Sequence, residues 1–118
     1  MKEELKKRFL LISVDVYKAL RGIQFPHSAS DAKRQLIRSS SSAAANYRSA
    51  CRAKSAPDFL NKLKIVEEEL DESIFWIEFL IEINVGPENS EYLLKELNEL
   101  LSIIVSSIKT TRSRIANK

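Results

Sequence analysis

The sequence predicts an all-α chain, an antiparallel up-down-up-down four-helix bundle, and three observations carry that prediction. Apolar residues recur at helical spacing in four separate stretches. Only two glycines and three prolines occur in 118 residues, too few turn-formers for a many-stranded β fold. Those few sit between the periodic stretches, so the connections are short and force neighbouring helices to run antiparallel. A chain of this length makes one domain, residues 1–118, with helices at about 3–22, 30–53, 56–84 and 88–115.

In the first stretch Leu5, Phe9, Ile12, Val16 and Leu20 share one face. Gly22 and Phe25-Pro26 break it, because a proline disfavours the α conformation at the residue before it. The second carries Leu36, Ala43, Tyr47 and Cys51 along one side, and Ser39 to Ser42 are small enough to let a neighbouring helix come close. Ser55-Ala56-Pro57-Asp58 reads as a helix start, with Ser55 as N-cap, Pro57 in the first turn and Asp58 at the capping-box position. The third stretch follows with Phe59, Leu63, Val66, Leu70, Ile77 and Leu80. Gly86 is expected to end it and Pro87 to open the fourth helix, which carries Leu93, Leu97, Leu100, Ile104 and Ile108.

The third helix is more apolar than a bundle of this size requires. Ile74 to Ile77, Phe79 to Ile81 and Ile83 spread hydrophobic surface around most of its circumference. A helix apolar on all sides is buried on all sides, so a second buried face built on Phe75, Trp76 and Phe79 predicts an interface between subunits, the alternative being a bulky core within the one chain.

Enzyme and metal chemistry find no foothold. The acidic run Glu67 to Glu72 superficially resembles the helices of two-metal bundle sites, but such sites need a Glu-x-x-His pair. His27 is the only histidine and falls in a connection. Cys51 lies on an apolar face, where a free cysteine behaves as a small hydrophobe, and a lone cysteine fits a reducing cytoplasm. A Gly-rich phosphate loop cannot be built from Gly22 and Gly86. The apolar run near the N-terminus is too short for a signal peptide or a membrane span. No catalytic residue, cofactor or metal is expected.

Charge is the stronger signal. Residues 33–64 hold eight bases against Asp58, residues 65–100 hold eleven acids against Lys95, and residues 101–118 hold four bases and no acid. At about 100° per residue, Arg34, Arg38, Arg48 and Arg52 fall near one line of the second helix, opposite its apolar side. Lys54, Lys62 and Lys64 extend that positive region, and Lys109, Arg112, Arg114 and Lys118 form another. An arginine stripe suits phosphates through its planar donor forks. It equally suits the acids of another subunit, or plain solvation, and spacing alone leaves the three readings open.

Four segments resemble a known family. They are Gln35-x-x-Arg38-Ser39, Ser42-x-x-Ala45-Asn46-Tyr47-Arg48-x-Ala50-Cys51-Arg52-Ala53-Lys54-Ser55, Asp58-Phe59-x-x-Lys62-Leu63 and Glu68-Glu69-x-Asp71-Glu72-Ser73-x-Phe75-Trp76. The chain resembles the bacterial four helix bundle protein family, whose members include proteins encoded in intervening sequences of 23S ribosomal RNA genes and the accessory variability determinant of diversity-generating retroelements. The resemblance implies a ring-shaped homopentamer with no established catalytic activity. By analogy with the retroelement protein it also implies binding of RNA or DNA and a reverse-transcriptase partner. The basic positions that match are Arg38, Arg48, Arg52, Lys54 and Lys62, while Arg34 rests on spacing alone. Many members have Ile-Ala-Glu-Gly where this chain has Tyr47-Arg48. The expected function is therefore a non-enzymatic, oligomeric nucleic-acid-binding protein. The alternative is an accessory adaptor whose charges only hold the oligomer together.

Overall fold

The structure, a computed structural model, describes residues 2–117. Four helices make up the fold: α1 (Lys2–Arg21), α2 (Ser30–Ala50), α3 (Ala56–Glu82) and α4 (Ser90–Ala116), with a short 3-10 turn at His27–Ala29 before α2. Among the described residues there is no strand. Each helix packs against its neighbours in sequence and α4 closes on α1, while the diagonal pairs keep their backbones apart. That is the up-down-up-down bundle. A 27-residue helix is about 40 Å long, so α3 and α4 span most of a bundle 53 Å long and about 22 Å across.

The apolar faces meet as the periodicity requires. Phe9, Leu36, Leu63, Leu70, Ile77, Leu97 and Ile104 are among the fully buried side chains, each contributing on the order of 1.5–3 kcal/mol by leaving water. Phe9 stacks on Tyr47 with ring centroids 4.8 Å apart. Burial, with a smaller contribution from neighbouring Cys51, pushes the Tyr47 phenol above its ordinary range, so the ring stays neutral in the core. Helices α2 and α3 make the closest seam because α2 presents small residues there. Ser39 and Ser40 are buried, and the Ser39 and Ser73 hydroxyls meet at 2.8 Å. The α1–α4 seam is sparser and is bridged by long polar side chains: Arg8 reaches Glu96 and Glu99, and the Tyr92 hydroxyl donates to Asp15.

The helix boundaries correct the expectation in three places. Helix α2 stops at Ala50 rather than near residue 53, because the amides of Arg52 and Ala53 bond back three residues to Ser49 and Ala50 and tighten the chain out of the helix. Arg52 therefore sits in the turn. Ser55 then takes an extended conformation and accepts from the Asp58 amide, while the Asp58 carboxylate reaches back to the amide of Lys54. At the far end of α3 the left-handed residue is Asn84 (φ 65°), not Gly86. The amide of Val85 bonds to the Leu80 carbonyl and that of Asn84 to Ile81, the paired bonds of a Schellman motif. Gly86 is needed for a different reason: a Cβ there would lie 2.7 Å from Cγ1 of Ile81, so the chain can fold back against α3 only without one. Pro87 does not open α4. It is buried in the turn, and its carbonyl accepts from the amide and hydroxyl of Ser90.

Candidate nucleic-acid interface

The four arginines expected to form one stripe divide into two pairs. In the N-terminal half of α2, Arg34 is tied to Asp31 one turn away. Arg38 crosses to α3, where its guanidinium meets Glu69 at 2.8 Å and Glu72 at 2.6 Å and also donates to Gln35. Glu72 is engaged twice, since it also accepts from the Trp76 indole at 3.2 Å. The Arg38 hydrogen bond is the main reason the Glu72 carboxyl lies below its usual range, and Glu72 in turn raises Arg38. These two arginines are occupied by the bundle itself.

The other half is different. Arg48 in the last turn of α2 and Arg52 in the following turn are exposed, and no carboxylate of the described residues pairs with either. Of the two lysines grouped with them, Lys62 is bound to Asp58 at 3.1 Å, whereas the Lys54 side chain is exposed and makes no ion pair there. The Lys54 amide and the Lys62 ammonium together hold the Asp58 carboxyl below its ordinary range. Two of the six expected residues, Arg34 and Arg38, thus lie away from the other four.

The antiparallel topology brings other cations to Arg48 and Arg52. The start of α1, the end of α2, the start of α3 and the end of α4 lie at one end of the bundle. Residues 2–10, 46–64 and 105–117, which make up that end, hold twelve bases and three acids. The rest of the described chain holds six bases and thirteen acids. Charge sorted along the sequence has become polarity along the bundle axis. Antiparallel helix dipoles largely cancel, so the polarity belongs to the side chains. Lys109, Arg112 and Arg114 of α4 contribute to the basic end, and Lys118, grouped with them in the sequence, lies outside the described residues.

Lys6 and Lys7 were not in the expected site. They line a groove of about 700 Å³ between α1 and α2, together with Arg48 and the apolar Leu10, Ala44 and Ala45. Glu3 lies on the same groove and is held by Lys6 at 2.8 Å, which leaves the rim positive on balance. The signal for these lysines was present in the sequence, but only after α1 is placed antiparallel to α2 do they fall beside Arg48.

The aromatic residues assigned to a subunit interface lie elsewhere, on α3. Phe75 and Phe79 are 53% and 39% exposed and Trp76 is half-buried, the rings packing edge-on at 4.9 and 5.4 Å. Among the described residues, no three His, Cys, Asp or Glu side chains converge to hold a metal ion, and no helix is long and apolar enough to cross a membrane.

A four-helix bundle with this seam of small residues and this charge pattern can be set against known proteins. The family model for the 23S rRNA-intervening sequence protein matches residues 3–106. The chain belongs to that family. Among solved structures, this chain is similar to a protein with unknown function from the S23 ribosomal protein family of Bacteroides thetaiotaomicron VPI-5482, solved at 1.70 Å resolution. The two superpose with a TM-score of 0.78 at 28% identity, over 92% of this chain and 99% of that one. A search of curated proteins finds no match. The family match begins at residue 3 and so takes in α1 with Lys6 and Lys7, but it ends at residue 106, before the basic residues of α4.

Proposed function

We propose that this chain is a non-enzymatic nucleic-acid-binding protein that holds phosphates at the basic end of its bundle. The observation that carries the reading is the cluster of exposed cations there without carboxylate partners among the described residues: Lys7, Arg48 and Arg52 on the α1–α2 side, Lys109, Arg112 and Arg114 on α4. Cations that the fold itself required would be paired, as Arg8 and Arg38 are. Nucleic acid is a suitable anion because it offers a dense line of charge, one per about 1.7 Å of duplex axis, to a face about 22 Å across. The family description names an intervening sequence of 23S rRNA, which makes a structured ribosomal RNA fragment a sensible first probe. Phosphate contacts of this kind give weak sequence preference and steep salt dependence.

The test is RNA binding by the wild type and by a Lys7→Glu/Arg48→Glu double variant between roughly 50 and 200 mM salt. The proposal expects the variant to bind at least tenfold more weakly and with a shallower salt dependence. Equal affinity and equal slope in the two proteins would sink it.

The exposed Phe75 and Phe79, with half-buried Trp76 between them, favour a second reading that is compatible with the first, namely assembly of copies through the α3 face. A ring of five is what the family resemblance implies, and an accessory role beside a polymerase such as a reverse transcriptase would use the same assembly. Solution mass of Phe75→Ser/Phe79→Ser tests it. The reading expects a smaller species than the wild type, and an unchanged mass would remove these residues from any interface.

A further inference from the structure

The cationic groove between α1 and α2 has an apolar side that phosphate binding does not use. Leu10 is 55% exposed and Tyr17 51%, with Val14 between them, and all three follow Lys7 along one face of α1 at steps of three, four and three. On the facing helix, Ser41, Ala44 and Ala45 line the groove with Leu10 and are too small to cover it, and Val14 and Tyr17 continue the apolar strip along α1 beyond the groove lining. Arg48 stands across the groove from Lys6 and Lys7, so positive charge rims a surface on which Leu10, Ala44 and Ala45 lie beside Ser13, Ser41 and the Lys6-bound Glu3. Leu10, Val14 and Tyr17 lie off the core face of α1, which is Leu5, Phe9, Ile12, Val16 and Leu20.

Building on the nucleic-acid reading above, we infer that the nucleic acid is single-stranded, with unstacked bases lying over Leu10, Val14 and Tyr17 while its phosphates lie on Lys7 and Arg48. A duplex turns phosphates outward and keeps its apolar base faces stacked inside, so it would satisfy the cations and leave Leu10 and Tyr17 in water. A single strand presents both chemistries side by side, a charged backbone and free π-faces, which is the pairing that single-strand sites use. The groove volume of about 700 Å³ is within the range of small-ligand pockets and admits an unstacked nucleotide. Tyr17 supplies the stacking surface, and Leu10 and the two alanines supply a flat aliphatic floor.

The experiment compares a fluorescent 12-nucleotide oligo(U) with an RNA duplex of equal length at one salt concentration, using the full chain. The wild type is expected to bind the single strand about tenfold more tightly than the duplex. Leu10→Ser/Tyr17→Ser, both exposed and away from the core, is expected to lose about tenfold for oligo(U) and nothing for the duplex, with the salt slope unchanged. Tyr17→Phe in the Leu10→Ser background is expected to behave as Leu10→Ser alone, because the ring and not the hydroxyl does the stacking. Equal binding of the two probes, with Arg48→Gln still weakening both, overturns the single-strand inference and leaves the phosphate reading standing. Failure of the wild type to bind either probe removes the phosphate reading and this inference with it. A fall in solution mass of the double variant, with oligo(U) binding intact, assigns the patch to another copy of the chain and also overturns the inference.

Discussion

Arg38 and Arg48 lie on the outward side of the same helix and have opposite fates. Arg38 spans the α2–α3 seam to two glutamates, one of which is itself anchored to Trp76. Arg48 faces a groove rimmed by lysines, with the Glu3 carboxylate already taken by Lys6. The residue type is the same, and the neighbouring helix decides the role. Where α3 presents its acidic stretch, the arginine becomes a brace of the fold. Where α1 presents Lys6 and Lys7, the arginine is left for something outside the chain.

Charge reversal separates the two most strongly. Arg38→Glu places a third carboxylate against Glu69 and Glu72, and is expected to cost about 2 kcal/mol, a fall of roughly 8 °C in Tm, measured by thermal unfolding. RNA affinity should change little at temperatures where the variant is folded. Next in size, Arg48→Glu is expected to leave stability within about 0.5 kcal/mol and to weaken RNA binding about tenfold, equivalent to roughly 1.4 kcal/mol. A large Tm loss in Arg48→Glu would break the contrast, because it would make both arginines structural.

Acid titration sharpens the same contrast with a smaller effect. The Glu72 carboxyl is held below its ordinary value of 4.5, chiefly by Arg38 and secondarily by the Trp76 indole. A carboxylate with a depressed folded-state pKa stabilises the protein fully above its unfolded pKa, and that stabilisation is lost as pH falls through the folded one. Denaturant midpoints taken from pH 6 to pH 3 should therefore drop below about pH 4.5, on the order of 0.5–1 kcal/mol once solvent screening of this half-exposed pair is allowed for. Arg38→Gln should flatten that dependence and Arg48→Gln should not. Smallest of all is Arg34→Ala. Its partner Asp31 is exposed on the same helix, so stability should move by less than about 0.5 kcal/mol and RNA binding not at all.

Much of this arrangement was legible in the sequence. The core faces follow from 3.6-residue periodicity, and the start of α3 is written in Ser55, Pro57 and Asp58, because an N-cap is a local device. The excess apolar surface of α3 announced the exposed Phe75 and Phe79. What failed to read through depended on contacts between distant segments. The partners of Arg38 lie 31 and 34 residues away, and finding them requires the register of α2 against α3. Lys6 and Lys7 join Arg48 only once α1 is laid antiparallel to α2. At the end of α3, glycine was the obvious left-handed residue. Asn84 adopts that conformation instead, and the close approach to Ile81 makes use of Gly86.

The salt dependence of RNA binding, measured on wild type, Arg38→Gln and Arg48→Gln side by side, tests the central claim most directly. If the basic end holds phosphates, Arg48→Gln lowers the slope of log affinity against log salt by about one, while Arg38→Gln keeps the wild-type slope. A lowered slope in Arg38→Gln with a wild-type slope in Arg48→Gln would contradict the account, placing the phosphates on the α2–α3 seam and not at the basic end.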